Sequence, residues 1–511
     1  MQLGFVIDHS RCIGCHACTV ACKAENDVPV GRFRTWVKYT EKGEFPEVRR
    51  SFAVLRCNQC TSAPCVTICP VSALKKRDDG IVDVDPAACI GCKACMQGCP
   101  YDALYLNEGT GTAEKCHFCA HRTEQGLAPA CAVVCPTEAI IPGDFHDEES
   151  VVSKLRFEHD LKARKTEAGT GPNVFYREVA EAGIAPLQTE GSGGYLWADR
   201  LPGPRLDAET EASLENRAEA RTTYDIERAT YWGGKISTYL FAKAVAAGAF
   251  LVGGFRLAPW RSAADVKPMD AWGVPGLALA FLTLTLLVLV ADLKRPERFL
   301  YILLRPNWDS WLARGSFILA GYAAALTAWL GLGVLGKQPP TALAWPLWIV
   351  TAVLAFLSAA YTGWLFAQAK GRVLWMRRGL WLQLGVKALL AGAAVMLLWV
   401  LATGGLGDSG LRVTWAFLAV SLLAHLIFMR LEGRLAPARR EDEHAAVHAL
   451  LRSAPWKGRH LWGSTVVGVI APAVLLLLPT PAWGLAAVLV LIGLFIEEDL
   501  LVRVGQALPI S

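Results

Sequence analysis

No cysteine occurs after residue 135, so 376 consecutive residues carry neither a disulfide staple nor a thiolate metal ligand. Charge is scarce as well. Asp, Glu, Lys and Arg make up 19% of the chain, and the net charge is only +5 over 511 residues, too small and too dispersed to indicate a nucleic-acid partner. The opening stretch MQLGFVIDHSRC has no apolar run and no twin arginine, so no secretion signal is expected. What remains is unusually apolar: 53% hydrophobic residues and a mean hydropathy of +0.32 place part of the chain in lipid.

All sixteen cysteines lie between Cys12 and Cys135. CIGCHACTVACK at residues 12 to 23 returns almost unchanged as CIGCKACMQGCP at residues 89 to 100. Four tetrads result, with none left over: Cys12, Cys15, Cys18, Cys22; Cys57, Cys60, Cys65, Cys69; Cys89, Cys92, Cys95, Cys99; and Cys116, Cys119, Cys131, Cys135. The first and third read C-x2-C-x2-C-x3-C, the spacing that wraps three thiolates around one face of an iron-sulfur cubane. Three tetrads end in Cys-Pro, and Lys23 takes the proline's place in the first. A zinc ribbon fits poorly, because thiols at i, i+3 and i+6 do not suit one tetrahedron. A disulfide framework also fits poorly, since thiols three apart in a tight loop are badly placed to bridge.

This part is expected to fold as an α+β ferredoxin-like domain over residues 1–142 and to act as a one-electron wire. Residues 1 to 140 hold no flavin or dinucleotide glycine loop, no pterin pocket and no nucleophile with its base. His117 and His121 flank a cluster loop, where tuning or surface roles fit better than catalysis, and no catalytic residue is assigned to the chain. Residues 143–230 turn charged and glycine-rich and read as a linker wrapping the ferredoxin domain. It is expected to hold an amphipathic helix near 148 to 164, a strand at PNVFYREV and extended chain afterwards.

Residues 231–511 form the membrane domain. Its apolar runs reach the roughly 20 residues that cross a hydrocarbon core, at about 236–255, 272–292, 314–336, 344–368, 380–403, 412–430, 461–480 and 483–502. Eight transmembrane helices are therefore expected. Lysine and arginine concentrate in alternate loops: Lys294, Arg295, Arg298 and Arg305; Lys370, Arg372, Arg377 and Arg378; and Arg434, Arg439, Arg440, Arg452, Lys457 and Arg459. The other side has Lys337 and Arg412, with Arg256, Arg261 and Lys267 as the exception. The basic loops share a side with both termini, so the ferredoxin half is expected on the cytoplasmic face of the inner membrane. Only His425 lies well inside a span, so the facing histidines of a haem b are missing and no haem is expected.

The cysteine-rich half resembles the four-cluster ferredoxin subunits of the DMSO reductase, polysulfide reductase and formate dehydrogenase group, including the NrfC type. That resemblance implies four [4Fe-4S] clusters with crossed ligation: Cys12, Cys15, Cys18 with Cys135; Cys116, Cys119, Cys131 with Cys22; Cys57, Cys60, Cys65 with Cys99; and Cys89, Cys92, Cys95 with Cys69. YWGGKISTYLFAKAVAAGAF, ADLKRPERFLYILLRPNWDSWLARGSF, YTGWLFAQAKGRVLW and VRVGQALPIS resemble the NrfD and polysulfide-reductase type of quinone-binding membrane subunit. Such subunits imply two four-helix bundles and electron exchange with menaquinone or ubiquinone.

Ionisable groups within lipid are functional candidates, because an unpaired charge there is costly. Near the cluster side the quinone-binding candidates are Lys235, Tyr239, Lys243, Asp292, Arg314 and Tyr322, with Lys243, Tyr239 and Asp292 preferred. Lys387, His425, Glu497, Glu498 and Asp499 form either a salt-bridge network or a proton path. The chain thus reads as a fused electron-wire and membrane-anchor subunit of a complex iron-sulfur molybdoenzyme. It would connect the quinone pool with a separate molybdenum or tungsten bis-pterin catalytic subunit acting on sulfite, polysulfide or another sulfur compound, with sulfite first. The alternative is a stand-alone ferredoxin:quinone oxidoreductase coupled to proton translocation.

Overall fold

The computed structural model describes residues 1–42, 49–190, 220–260, 266–337, 339–404 and 409–510. Arg261 and most of the glycine-rich stretch after Gln188 lie outside these residues.

Among the described residues, twelve strands build the cysteine-rich half: β1 (Leu3–Asp8), β2 (Thr35–Lys42), β3 (Arg49–Arg56), β4 (Leu74–Lys76), β5 (Val82–Val84), β6 (Leu104–Asn107), β7 (Thr112–Lys115), β8 (Ile140–Asp144), β9 (Lys162–Ala163), β10 (Val174–Arg177), β11 (Thr189–Glu190) and β12 (Ala220–Tyr224). They form two four-stranded sheets, ordered β8-β1-β10-β9 and β11-β12-β2-β3, and two hairpins, β4-β5 and β6-β7. The segment from 143 to 190 supplies strands as well as connections. β10 runs parallel to β1 with Phe5 opposite Val174, and β12 pairs antiparallel with β2. The helix read near 148 to 164 is shorter, Val151–Glu158, and the strand at PNVFYREV is β10.

The repeated comb becomes a repeated backbone. Gly14 and Gly91 have φ of 72° and 67°, and the third residue of each loop, His16 or Lys93, is also left-handed at 59° or 64°. These turns fold three thiols around one space before a short helix, Ala17–Glu25 or Ala94–Gly98, carries the chain away.

In the membrane half we label α1 (Gly234–Gly253), α2 (Pro268–Asp292), α3 (Trp311–Val334), α4 (Thr341–Gln368), α5 (Leu380–Gly404), α6 (Ser409–Leu431), α7 (Arg459–Leu476, π-helical through Ile470) and α8 (Pro481–Val504). The first seven are long and apolar enough to cross a membrane. The eighth is a 24-residue helix whose C-terminal half carries Glu497, Glu498, Asp499 and Arg503. Neighbours run α1-α2-α3-α4-α1 and α5-α6-α7-α8-α5, which gives two rings of four joined where α5 meets α1 and α4 and where α8 meets α1. α1 and α5 are the inner helices: 83% and 67% of their apolar windows are buried, against 22% to 33% for the other five. They cross at Gly248 and Gly392, where a Cβ on Gly248 would lie 1.8 Å from the Ala388 carbonyl. Only glycine permits that approach.

The three basic loops all meet the ferredoxin half. Arg298 donates to the carbonyls of Pro86 and Cys89, Arg372 to Gln97, and Arg440 pairs with Glu443, whose carboxylate also holds Lys165. In the exceptional basic loop, Arg256 is neutralised by Asp270 at 2.8 Å.

Candidate functional site: a thiol wire on a polar membrane node

The structure brings cysteines distant in sequence into electrostatic contact. Cys12 neighbours Cys15 and Cys135, and Cys18 neighbours Cys12. Cys22 is surrounded by Cys116, Cys119 and Cys131. Cys65 faces Cys57, Cys60 and Cys99, and Cys95 faces Cys69, Cys89 and Cys92.

Two of these groups line a common space: Cys22, Cys116, Cys119 and Cys131 line one, and Cys57, Cys60, Cys65 and Cys99 line another. Burial pushes the Cys18 thiol up to about 11 and those of Cys92 and Cys99 up to about 12. Such thiols ionise at neutral pH only when a bound metal displaces the proton. Donors are already aimed at sulfur: Ala139 N on Cys135 at 3.2 Å, Phe118 N on Cys116 at 3.4 Å and Arg56 Nη1 on Cys131 at 3.3 Å. The thiols, the cavities and the donors together fit iron-sulfur clusters.

The groups differ in what surrounds them. The loops carrying Cys69, Cys89, Cys92 and Cys99 lie against the membrane half. Asn307 Nδ2 donates to the Cys69 carbonyl at 2.8 Å, Arg298 to that of Cys89 at 2.9 Å and Trp232 Nε1 to that of Cys92 at 3.4 Å. Gly371 packs so closely under Cys99 that a Cβ there would lie 2.5 Å from its carbonyl oxygen. Cys15, by contrast, is exposed, as are Ile13, Val20 and Val133.

Below the membrane-side loops, Trp232 stacks on Trp375, and Trp375 on Phe366. Deeper still is a polar node. Lys243 and Tyr239, one turn apart on α1, meet Tyr361 and Thr362 on α4. Tyr239 and Tyr361 hydroxyls are 2.5 Å apart, Tyr239 reaches Thr362 at 2.9 Å, and Lys243 Nζ bonds Tyr239 at 3.2 Å and also Thr362. The Lys243 ammonium lies over both tyrosine rings.

The other quinone candidates are elsewhere. Asp292 pairs with Lys93 at 2.7 Å, linking α2 to the Cys92 loop. Lys235 donates to the Ala291 carbonyl, Arg314 to that of Trp308 and Tyr322 to that of Ala246. Tyr361 and Thr362 are absent from the candidates that the sequence offers. Their only signal is the YT pair interrupting an apolar run.

Of the second-bundle candidates, four come together. Lys387 Nζ lies 2.9 Å from Glu497 and 3.1 Å from Glu498, and His425 Nε2 lies 2.9 Å from Glu497. Asp499 faces another way, toward Ser237, Arg459 and Arg503.

Residues 223–509, more than half of the chain, match the family model described as polysulphide reductase, NrfD. This protein belongs to the NrfD family. Residues 48–145 match a 4Fe-4S dicluster domain, so the NrfD part is fused to an iron-sulfur part. The fused part is 42% identical to the thiosulfate reductase electron transfer subunit PhsB of Salmonella typhi, an alignment covering 35% of this chain and 94% of that protein. It is 39% identical to protein NrfC of Escherichia coli (35% and 85% covered) and 36% identical to the arsenate respiratory reductase iron-sulfur subunit ArrB of a Shewanella species (34% and 96% covered). The iron-sulfur part is thus similar to separate reductase subunits, and the NrfD-family chain as a whole is a multi-pass membrane protein.

Proposed function

We propose that this NrfD-family chain is the electron-transfer and anchor subunit of a respiratory oxidoreductase, carrying electrons through four [4Fe-4S] clusters between membrane quinone and a separate molybdopterin subunit. The observation that carries the reading is the polarity of the wire: one end is clamped onto the membrane half by the carbonyls of Cys69, Cys89 and Cys92, and the other presents Cys15 at the surface. Each cluster supplies a one-electron step. The four ligand sets are Cys12, Cys15, Cys18, Cys135; Cys22, Cys116, Cys119, Cys131; Cys57, Cys60, Cys65, Cys99; and Cys69, Cys89, Cys92, Cys95. Arg298, Asn307 and Trp232 fix the last of these against the membrane half, and the exposed Ile13, Val20 and Val133 belong to the surface where a catalytic partner docks. The names of the thiosulfate reductase relative and of the polysulphide reductase family point to sulfur compounds as the partner's substrate class.

Quinone chemistry moves two electrons and two protons, so its site needs donors to carbonyl oxygens and a proton supply. The node of Tyr239, Lys243, Tyr361 and Thr362 offers four such donors. Glu498 connects it to the second bundle: its charge acts on both Lys243 and Tyr239, its Oε1 meets Lys387, and its Oε2 has no hydrogen-bond partner. Protons then follow Glu498, Lys387, Glu497 and His425. α8 makes the eighth crossing, and the basic loops put the ferredoxin half on the cytoplasmic side of the inner membrane.

The test is to purify the tagged chain from native membranes in mild detergent and to assay co-purifying chains with iron, molybdenum and tungsten. A stoichiometric large subunit with a pterin metal is expected. A lone chain with about sixteen irons and no pterin metal would replace this reading with a ferredoxin:quinone oxidoreductase, for which exposed Cys15 would receive a soluble carrier.

A further inference from the structure

Two cations are buried among the thiols and face no carboxylate within ion-pair distance among the described residues. Arg56, the last residue of β3, has no exposed surface. Its Nη1 bonds Cys131 Sγ at 3.3 Å, its Nη2 bonds Thr35 Oγ1 at 3.1 Å, its plane lies over Phe5, and its Nε has no partner. It lines the cavity of Cys22, Cys116, Cys119 and Cys131. Its charge also acts on Cys18 of the outermost group. Lys115, the last residue of β7, is 2% exposed, and its ammonium donates to the backbone carbonyls of Val82 and Cys116. Its charge acts on Cys116 on one side and on Cys57 and Cys65 on the other, with a weaker contribution from Asp83. By contrast Lys93, beside Cys92, is neutralised by Asp292 at 2.7 Å.

Burying an arginine or lysine without a counter-charge is costly, and proteins keep such groups where a negative partner offsets the cost. Among the described residues no carboxylate lies within ion-pair distance of either, so the anionic partners in contact with them are the thiols once these are ligated as thiolates. Reducing a [4Fe-4S] cluster adds one electron and makes or breaks no bond to protein, so the reduced form carries one more negative charge. A fixed cation nearby stabilises that form and raises the potential.

We propose that Arg56 and Lys115 set the potentials along the wire, each acting on two adjacent clusters and both on the one held by Cys22, Cys116, Cys119 and Cys131. That cluster then has the highest potential of the four and stores the electron between the membrane and the partner. The cluster of Cys69, Cys89, Cys92 and Cys95, whose nearby lysine is already paired, is left unraised. The inference rests on the four-cluster reading above.

The experiment is a redox titration of the purified full-length chain, reduced with dithionite and followed by EPR, with iron counted per chain. Arg56→Gln is expected to lower two of the four signals and Lys115→Gln two. One signal moves in both variants and one in neither. Each shift should change the reduction equilibrium about tenfold or more, about 59 mV for a one-electron couple. Arg56→Lys, which keeps the charge, should restore most of the first shift. Unmoved potentials, or four signals moving equally, would overturn the proposal. Where a glutamine variant loses clusters, Arg56→Lys decides: potentials kept at wild-type values support the role of the charge, and potentials that fall although the charge is kept overturn it. Wild-type chain with fewer than about sixteen irons defeats the four-cluster reading instead, whereas full iron with unmoved potentials defeats only this one.

Discussion

Lys243 on α1 and Lys387 on α5 are buried to nearly the same degree, 2% and 1% exposed, yet their partners differ in kind. Lys387 sits between two carboxylates, one of which also holds His425. Among the described residues Lys243 bonds hydroxyls and lies over the faces of two tyrosine rings, with no carboxylate at ion-pair distance. A lysine whose charge is matched fixes the packing of its helices. A lysine held by hydroxyls can turn its donors to an incoming oxygen without breaking an ion pair, which suits it to a ligand site. Burial does not separate the two environments, whereas the counter-charge does.

The largest effect should come from breaking the matched side. Lys387→Met leaves Glu498 without its cation and Glu497 with His425 alone in a buried site, and removing one partner of such a pair costs about 3 to 5 kcal/mol. Thermal unfolding in detergent should show that loss, and a variant as stable as wild type would mean that the acids are protonated or wet. Lys243→Met should do the reverse. Stability should change little, while turnover with a soluble quinol analogue falls about 100-fold, the usual scale for a lost proton donor. Reduction of the clusters by dithionite should be untouched in that variant, and slowed dithionite reduction would remove Lys243 from the quinone step.

This contrast is only half legible in the sequence. Charged residues inside apolar runs stand out, so Lys243, Lys387, His425, Glu497 and Glu498 are conspicuous from their neighbours in the chain alone. Tyr361 and Thr362 are not, because a hydroxyl within an apolar run carries no charge signal and hydropathy passes over it. Asp292 illustrates the opposite failure: its charge is visible, but its partner Lys93 is 199 residues away, across the boundary between the halves. The thiol tetrads are readable because their spacing is local. The grouping of Cys22 with Cys116, Cys119 and Cys131 joins thiols far apart in the chain, and spacing alone does not encode that. The strands after residue 143 are harder to read for a similar reason, since β10 joins β1 across about 170 residues of sequence.

His444 extends the comparison to a buried base with no acid in contact. It lies in the helix Glu441–Leu450 of the basic loop, fully buried, with neither ring nitrogen partnered. Burial lowers it to about 4, and Arg377 and His448 push the same way, against a weaker pull from Glu432. Between pH 6.5 and about 4 the unfolded state therefore takes up a proton that the folded state refuses. Stability from this group is present above pH 6.5 and is lost as pH falls through that window. Unfolding measured at about pH 7 and about pH 4.5 should show His444→Gln losing about 2 kcal/mol less than wild type between the two. An equal loss in both would mean that His444 is already hydrated.

The smallest effect tests the node at a single atom. Tyr361→Phe removes one hydroxyl and keeps the ring, so the Lys243 ammonium retains its aromatic face while Tyr239 retains Thr362 at 2.9 Å. One neutral hydrogen bond contributes about 1 kcal/mol, so quinol-analogue turnover should fall about fivefold. If the hydroxyl served only to pack α4 on α1, the loss would appear in the unfolding temperature and turnover would stay. A fall in turnover at unchanged unfolding temperature, repeated with Thr362→Val, would instead mark the hydroxyls as the donors that Lys243 shares with its ligand. The same substitutions should leave the Lys387 network, and any property that depends on it, unaffected.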